Sequence, residues 1–259
     1  MPFAQLPDAQ IHYEWAGAGD LPVLVFSNSL GTSLEMWNPQ LSAFTQHFRV
    51  LRYDTRGHGQ STATPVNYTI GQLANDVLLL LDVLQLSQVA LCGLSLGGAT
   101  GIHLGAHAPH RFSKLVLCNT AAKFGTADTW NARIQAVTSG GMQAVASAVI
   151  ERWLTPSFRA SHPAEAASSL AMLESANPSG YLSCCAAVRD TDLRGALADV
   201  AVPSLVLTGT HDPVTPPSDA RYLVQNIPGA RYVEVSAAHL SNLEAREDFN
   251  HRVLDFLLS

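Results

Sequence analysis

Short apolar runs alternate along this chain with stretches of helical periodicity. The first two strand-like segments, residues 11–15 and 22–26, are close enough in sequence to suggest an antiparallel pair, and residues 50–53 predict a third strand. Later runs are continuously apolar, as expected for strands buried on both faces of a parallel sheet. These later runs are residues 88–93, 114–118, 203–209 and 230–235.

Helical spacing of apolar residues appears between these runs. The helix-spaced positions are Ile70, Leu73, Val77, Leu81 and Leu84, and near the carboxyl end Phe249, Val253, Phe256 and Leu257. Because strands and helices alternate, the chain is predicted to have an α/β fold in which helices flank a mostly parallel central sheet.

The alternation stops between residue 121 and about residue 196. This segment has no strand-like run, is rich in alanine, and carries apolar residues near helical spacing. Insertions at this edge of a sheet usually cover the crevice where ligands bind. We therefore assign residues 1–120 and 197–259 to one core and residues 121–196 to an inserted helical cap.

Composition narrows the class of protein. Charged residues make up only 14% of the chain and apolar residues 47%, which is the opposite of a disordered composition. The net charge is −6 and no cluster of basic residues is visible, so nucleic acid and acidic membrane surfaces are poor candidate partners. The amino-terminal residues do not resemble a secretory signal, and the longest aliphatic run, residues 77–81, is far too short to span a membrane.

The four cysteines follow neither a disulfide nor a zinc-binding pattern. Two lie in strand-like segments and two are adjacent in sequence, at positions Cys92, Cys118, Cys184 and Cys185. Their simplest interpretation is that of small buried apolar residues in a reducing compartment. We therefore expect a cytoplasmic protein without a metal. The sequence leaves the oligomeric state open, a homo-oligomer included.

One motif carries nucleophilic chemistry. The run Gly93-Leu94-Ser95-Leu96-Gly97 follows a predicted strand and precedes a predicted helix. It matches the G-x-S-x-G nucleophile elbow of α/β-hydrolases, in which small neighbours allow the serine to occupy a tight, strained turn. The sequence therefore predicts an α/β-hydrolase fold with Ser95 as the nucleophile, and the helix amino terminus adds favourable charge beside it.

A serine nucleophile needs a general base and an acid to orient that base. In this fold the chain order is serine, acid, histidine, so His239, after the last predicted strand, is the candidate base. Asp212, after the preceding strand, is the candidate acid. Asp219 is a competitor that we expect to cap the next helix instead. His58 is expected to shape a glycine-rich turn, and His251 to lie on the surface of the last helix.

Two N–H groups must stabilise the oxyanion that forms during acyl transfer. One is expected to belong to Leu96, which follows the nucleophile. The other is expected to belong to Leu30, in the loop 27–32 after an early strand, whereas Gly31 suits a purely structural turn. We find no phosphate loop, zinc spacing or dinucleotide fingerprint, so no cofactor is expected.

Several segments together make a more specific match than the elbow alone. The chain resembles the 3-oxoadipate enol-lactonases, bacterial α/β-hydrolases of aromatic-compound catabolism, over nearly its whole length. The segments that carry the resemblance are residues 27–32, 92–98, 117–122 and 130–134. It implies a small anionic substrate, an enol-lactone bearing a carboxymethyl group, which water would open to 3-oxoadipate through an acyl-enzyme on Ser95.

A carboxylate substrate in a net acidic protein requires a local cation. Arg133, near Trp130 at the start of the cap, is the candidate, because a guanidinium can grip a carboxylate through two hydrogen bonds. The tryptophan would then form a pocket wall. The alternative is a solvated helix arginine beside a packing tryptophan. Other activities also fit the triad, namely those of an arylesterase, a cofactor-free perhydrolase or a carbon–carbon bond hydrolase, and so does a non-enzymatic ligand receptor.

Overall fold

One sheet of eight strands organises residues 2–259, which are the residues that this computed structural model describes. In chain order the strands are β1 Phe3–Gln5, β2 Gln10–Ala16, β3 Val23–Ser27, β4 Arg49–Tyr53, β5 Val89–Leu94, β6 Phe112–Cys118, β7 Ser204–Gly209 and β8 Arg231–Val235. Their order across the sheet is β1-β2-β4-β3-β5-β6-β7-β8. Strands β3 to β8 are parallel to one another, and the two antiparallel pairs are β1 with β2 and β2 with β4.

The first two strand-like segments run in opposite directions, as predicted, but they are not neighbours in the sheet. β2 pairs antiparallel with β4, and β4 separates it from β3. A short connection does not force two strands to be neighbours, because crossing over one intervening strand requires only about 10 Å. β4 takes the inner position because all but its first residue are buried, whereas most of β2 is half-exposed.

Eleven α-helices accompany the sheet in the described residues. They are α1 Leu41–Phe44, α2 Ile70–Val83, α3 Leu96–His107, α4 Ala127–Gly140, α5 Gln143–Trp153, α6 Pro156–Ser161, α7 Pro163–Glu174, α8 Pro178–Asp190, α9 Pro217–Asn226, α10 Ser241–Glu244 and α11 Arg246–Leu258. The periodic segments at residues 70–84 and 249–257 form α2 and α11, whose apolar stripes are buried. α3 approaches the sheet closely, since a Cβ added at Gly105 would lie 2.6 Å from Leu115 Cδ1.

The long helical segment contains no strand. Helices α4 to α8 all lie between β6 and β7, where the sequence shows no strand-like run. Several of their residues, Trp130 and Trp153 among them, face the carboxyl end of the sheet at the cavity described below. The division of the chain into a core and a separate cap domain stays a prediction.

The strand order creates a crevice at one point of the sheet. After β3 the chain places β4 on one side of it and β5 on the other, so the connections leave in opposite directions. In open α/β sheets, ligands bind beyond the carboxyl ends of the strands at such a switch point. The loop after β3 and the turn after β5 both open there, and they hold Leu30 and Ser95.

All four cysteines are buried free thiols, which agrees with their interpretation as small apolar residues. No helix within residues 2–259 is long and apolar enough to cross a membrane. In the same part of the chain, no three His, Cys, Asp or Glu side chains are grouped as a metal site would require.

Candidate active site

A sharp turn joins β5 to α3, and Ser95 is its central residue. Ser95 has a φ of 57°, a left-handed backbone conformation that is rare outside glycine. Its N–H donates to the Cys118 carbonyl over 2.9 Å. A Cβ at Gly93 would collide with the Gly97 carbonyl, and one at Gly97 with the Ser27 carbonyl. The elbow therefore needs glycine at both flanks, as the motif requires.

Asp212 and His239 lie on the loops after β7 and β8, and their side chains are hydrogen-bonded. His239 Nδ1 is 2.8 Å from Asp212 Oδ2, and the residues are 1% and 3% exposed, respectively. The N–H of Val214 and both the N–H and hydroxyl of Thr215 also donate to the carboxylate. Burial raises the pKa of Asp212, but His239 and the side-chain donors outweigh it and hold this pKa below its usual value. The carboxylate is therefore ionised and can orient the imidazole.

Two backbone N–H groups remain available near Ser95. One belongs to Leu30 in the loop after β3, and the other belongs to Leu96 at the start of α3. The Gly31 N–H donates to His58 Nε2 over 2.8 Å, so it serves the structure of the turn. Neither Leu30 nor Leu96 has an acceptor for its N–H in the described part of the chain. His58 shapes this region as expected, and burial lowers its pKa to about 4, which keeps the ring neutral and able to accept.

A small cavity brings the predicted site residues together except Asp212, which reaches the site through its hydrogen bond to His239. The cavity has a volume of about 30 Å³, and Ser95, His239 and the two candidate N–H donors, Leu30 and Leu96, lie in its wall. Trp130 and Arg133, from α4, line it as well, and the guanidinium carbon of Arg133 lies 4.8 Å from the centre of the Trp130 ring. The described chain holds no hydrogen bond between the Ser95 hydroxyl and His239, a contact that is often long in resting enzymes.

The sequence profile of the family described as alpha/beta hydrolase fold matches residues 22–164. 3-Oxoadipate enol-lactonase 2 of Acinetobacter baylyi is 42% identical over 247 residues, which are 95% of this chain and 92% of that protein. 3-Oxoadipate enol-lactonase 1 of the same organism is 38% identical and covers 90% of this chain and 87% of its own length. The chain belongs to the enol-lactonase family of α/β-hydrolases.

A solved relative has the same architecture throughout. The crystal structure of the enol-lactonase from Burkholderia xenovorans LB400 superposes with a TM-score of 0.98 at 44% sequence identity, covering 100% of both chains. The predicted α/β-hydrolase fold is therefore confirmed. As an enol-lactonase family member, the chain is a carboxylic ester hydrolase.

Sequence reasoning missed Asn119, which supports the acid and the histidine loop together. Its Nδ2 donates to Asp212 Oδ2 over 2.9 Å and to the Ala238 carbonyl over 3.2 Å, and its Oδ1 accepts from the Ser241 hydroxyl over 2.5 Å. Its φ is 45°, so the backbone turns sharply there. A polar amide directly after a buried strand beside the elbow was the available signal.

Two further residues from the helices between β6 and β7 lie in the cavity wall and were also missed. Arg152, on α5, and Tyr181, on α8, line the same cavity as Ser95. Burial raises the pKa of Tyr181 well above its usual value, so its phenol stays neutral. Trp153, at the end of α5, is buried and also reaches the cavity.

The loop after β8 is held by hydrogen bonds on both sides of its histidine. The Ala238 N–H donates to Glu244 Oε2 over 3.0 Å, and the Thr155 N–H donates to the same oxygen over 3.2 Å. The Leu240 N–H donates to the Trp153 carbonyl over 2.9 Å. Glu244 therefore ties the connection between α5 and α6 to the loop that carries His239.

The expectation that Asp219 caps the helix after β7 is wrong. Pro216 occupies the N-cap position of α9 and offers no side-chain acceptor, while Asp219 lies inside the first turn. At that position its carboxylate still meets the positive end of the helix dipole. Burial and the negative charge of the nearby Asp212 raise the pKa of Asp219. Asp219 therefore senses the charge of Asp212 but does not contact the His239 ring.

Proposed function

We propose that this protein hydrolyses 3-oxoadipate enol-lactone to 3-oxoadipate through an acyl-enzyme on Ser95. The Acinetobacter relatives named for this activity match nearly the whole chain. The observation that carries the proposal is one cavity in which a serine at a helix amino terminus and a histidine held by a buried carboxylate meet two cap arginines. A carboxymethyl enol-lactone has a carbonyl for the serine and a carboxylate for a guanidinium.

Ser95 is the nucleophile in the first step. Its hydroxyl attacks the lactone carbonyl while His239 Nε2 takes the hydroxyl proton. Asp212 holds the Nδ1 tautomer and stabilises the imidazolium that results. The N–H groups of Leu30 and Leu96 donate to the oxyanion, and because both are fixed by backbone structure they need little rearrangement during the reaction.

Ring opening makes the first step hard to reverse. Collapse of the tetrahedral intermediate breaks the bond between the acyl carbon and the enol oxygen, and His239 can return its proton to that oxygen. An enolate is a better leaving group than an alkoxide, and the enol then tautomerises to a ketone, which disfavours reclosure. Water activated by His239 next releases the acyl group, so one lactone and one water give one 3-oxoadipate.

The substrate carboxylate is held by the cap in this proposal. Arg133 grips it, and Trp130 forms the wall beside the lactone ring. The indole N–H of Trp130 donates to the Phe124 carbonyl over 2.8 Å, which supports a fixed ring orientation. Residues 121–196 then act as a cap over a core made of residues 1–120 and 197–259. The free thiols suit a cytoplasmic location, and a homo-oligomer stays a prediction.

A substrate panel tests the proposed activity. Purified protein is mixed with freshly made 3-oxoadipate enol-lactone, and the loss of ultraviolet absorbance is compared with hydrolysis of a neutral aryl acetate and with peracid formation from acetate and peroxide. We expect fast loss of the lactone. Arg133→Ala should raise KM for the lactone far more than it changes the aryl acetate rate. Arg252→Ala, on the exposed face of α11, is the matched control.

Three results would contradict the proposal in different ways. Good aryl acetate turnover without lactone turnover would make the protein a general arylesterase. Efficient peracid formation would make it a perhydrolase. Binding of the lactone without turnover of any compound would identify a ligand receptor on a hydrolase fold.

A further inference from the structure

The cavity at Ser95 is separated from a larger outer cavity by a thin partition. The outer cavity, which we call the vestibule, has a volume of about 330 Å³ and extends from the amino-terminal end of α4 to the loop after β7. The partition consists of the residues that line both cavities, namely Phe124, Trp130, Arg133, Arg152 and Val214. Two of these five side chains are therefore cationic.

Neither cation has an anionic partner. Among the described residues, Arg133 and Arg152 take part in no ion pair, and no aspartate or glutamate lines either cavity. The neighbouring side chains that could ionise stay neutral, because burial raises the pKa values of Tyr181 and Cys185, the latter to about 12. Arg152 donates only to the Ala148 carbonyl, over 3.2 Å.

The protein treats its structural arginines differently. Arg56 is buried and paired with Asp76 at 2.6 Å and with Asp8 at 2.8 Å. Arg52, equally buried, is paired with Glu14 at 2.7 Å. The two fully buried arginines therefore have carboxylate partners, as the cost of removing a charge from water requires.

The two arginines share the partition, and both line both cavities. Burial lowers the pKa of Arg152, and the positive charge of Arg133 lowers it further. Two like charges at a half-buried position cost free energy unless an anion binds between them. Arg133 packs on the Trp130 ring and contacts the Tyr181 phenol, but neither group carries a negative charge that would offset the repulsion.

Cavity size shows where an anionic ligand must reach. The inner cavity, at about 30 Å³, holds little more than one water molecule, far less than the several hundred Å³ of a typical ligand pocket. A lactone whose carbonyl meets Ser95 must therefore displace partition side chains and extend towards the vestibule. Its carboxylate arm then passes between the two arginines.

We propose that Arg152 is a second carboxylate-binding residue and forms, with Arg133, a two-arginine anion site between the catalytic cavity and the vestibule. Its ligands are small aliphatic carboxylates that reach from Ser95 towards the solvent. As an explanation of substrate selection, this inference rests on the proposed function. It adds to that function one binding residue, Arg152, which the sequence did not single out. Arg152 acts on binding, so its loss raises KM for anionic substrates and leaves neutral ones nearly unaffected.

Adipate, an unreactive dicarboxylate with the chain length of the expected product, is the probe. Its Kd is measured by calorimetry on wild type, Arg152→Gln and Arg133→Gln, and its inhibition of aryl acetate hydrolysis is measured in parallel. We expect each substitution to weaken adipate binding by about tenfold or more, the usual effect of losing a charge-assisted hydrogen bond. Arg189→Gln is the matched control, because Arg189 lies in the cap, pairs with Asp190, and lines neither cavity.

A second measurement needs no variant. Raising the salt concentration should weaken adipate binding to the wild type but leave the binding of neutral adipamide unchanged. Equal adipate affinity in Arg152→Gln and wild type, or adipamide binding as tight as adipate binding, would overturn the anion site. If adipate binding depends on Arg152 while the enol-lactone is not turned over, the anion site stands and the proposed substrate is wrong.

Discussion

Acid should destabilise this protein through His58. The ring is completely buried, its Nε2 accepts from the Gly31 N–H, and its Nδ1 faces the Arg56 carbonyl at 3.4 Å and the Cys184 thiol at 3.9 Å. Burial lowers its pKa from the ordinary 6.5 to about 4. Protonation of Nε2 would also place two N–H groups against each other and disturb the loop that carries Leu30.

The size of the effect follows from this pKa difference. Between pH 6.5 and pH 4 the unfolded chain binds a proton at this histidine and the folded chain does not, so stability falls as the pH falls. One pKa unit corresponds to about 1.4 kcal/mol. Lowering the pH from about 7.5 to about 5 should therefore remove about 2 kcal/mol of the free energy of unfolding through His58 alone.

Urea unfolding at both pH values tests this prediction. In His58→Gln, where an amide oxygen can still accept from Gly31, the loss of stability on acidification should be smaller than in wild type by about 2 kcal/mol. His251→Gln, an exposed histidine on α11, should lose as much stability as wild type. If His58→Gln loses as much stability as wild type, then His58 is not the buried neutral group described here.

Three further substitutions probe the supports of the site. Asn119→Leu should lower kcat by about tenfold to a hundredfold with little change in KM, because the Asp212 carboxylate loses a donor; steady-state kinetics on the enol-lactone would check this. Glu244→Ala should lower kcat by about tenfold, whereas Glu244→Gln, which keeps an acceptor for the two N–H groups, should restore most of it; equal losses in both would refute the positioning role. Gly180→Ala should cost about 1–3 kcal/mol in thermal unfolding, because its Cβ would collide with the Gly57 backbone, whereas Gly195→Ala, with open space around it, should be neutral.

Local signals predicted much of the fold. The continuous apolar runs predicted the inner strands, because these strands are buried on both faces. The helical stripes predicted α2 and α11, because a helix buried on one face repeats its apolar residues with the period of the helix. The elbow was predictable because its glycines are required by contacts with residues close to Ser95 in sequence and with the strand beside it. β1 was not predicted, because three residues are too few to show a period.

Features that depend on contacts between distant segments were not predictable. β2 appeared to pair with β3 because they are close in sequence, but β4 comes between them. Asn119 meets Asp212 only after β6 and β7 become neighbours in the sheet. No local pattern sets Arg152 apart from other helix arginines, and only the packing of α5 over the carboxyl end of the sheet brings it to the cavity wall.

The central claim is that Ser95 opens the enol-lactone, and the initial rate of lactone loss in Ser95→Ala tests it most directly. The account predicts that kcat/KM falls at least about a thousandfold relative to wild type while the fold and adipate binding are retained. A Ser95→Ala variant that consumes 3-oxoadipate enol-lactone at the wild-type rate would contradict it.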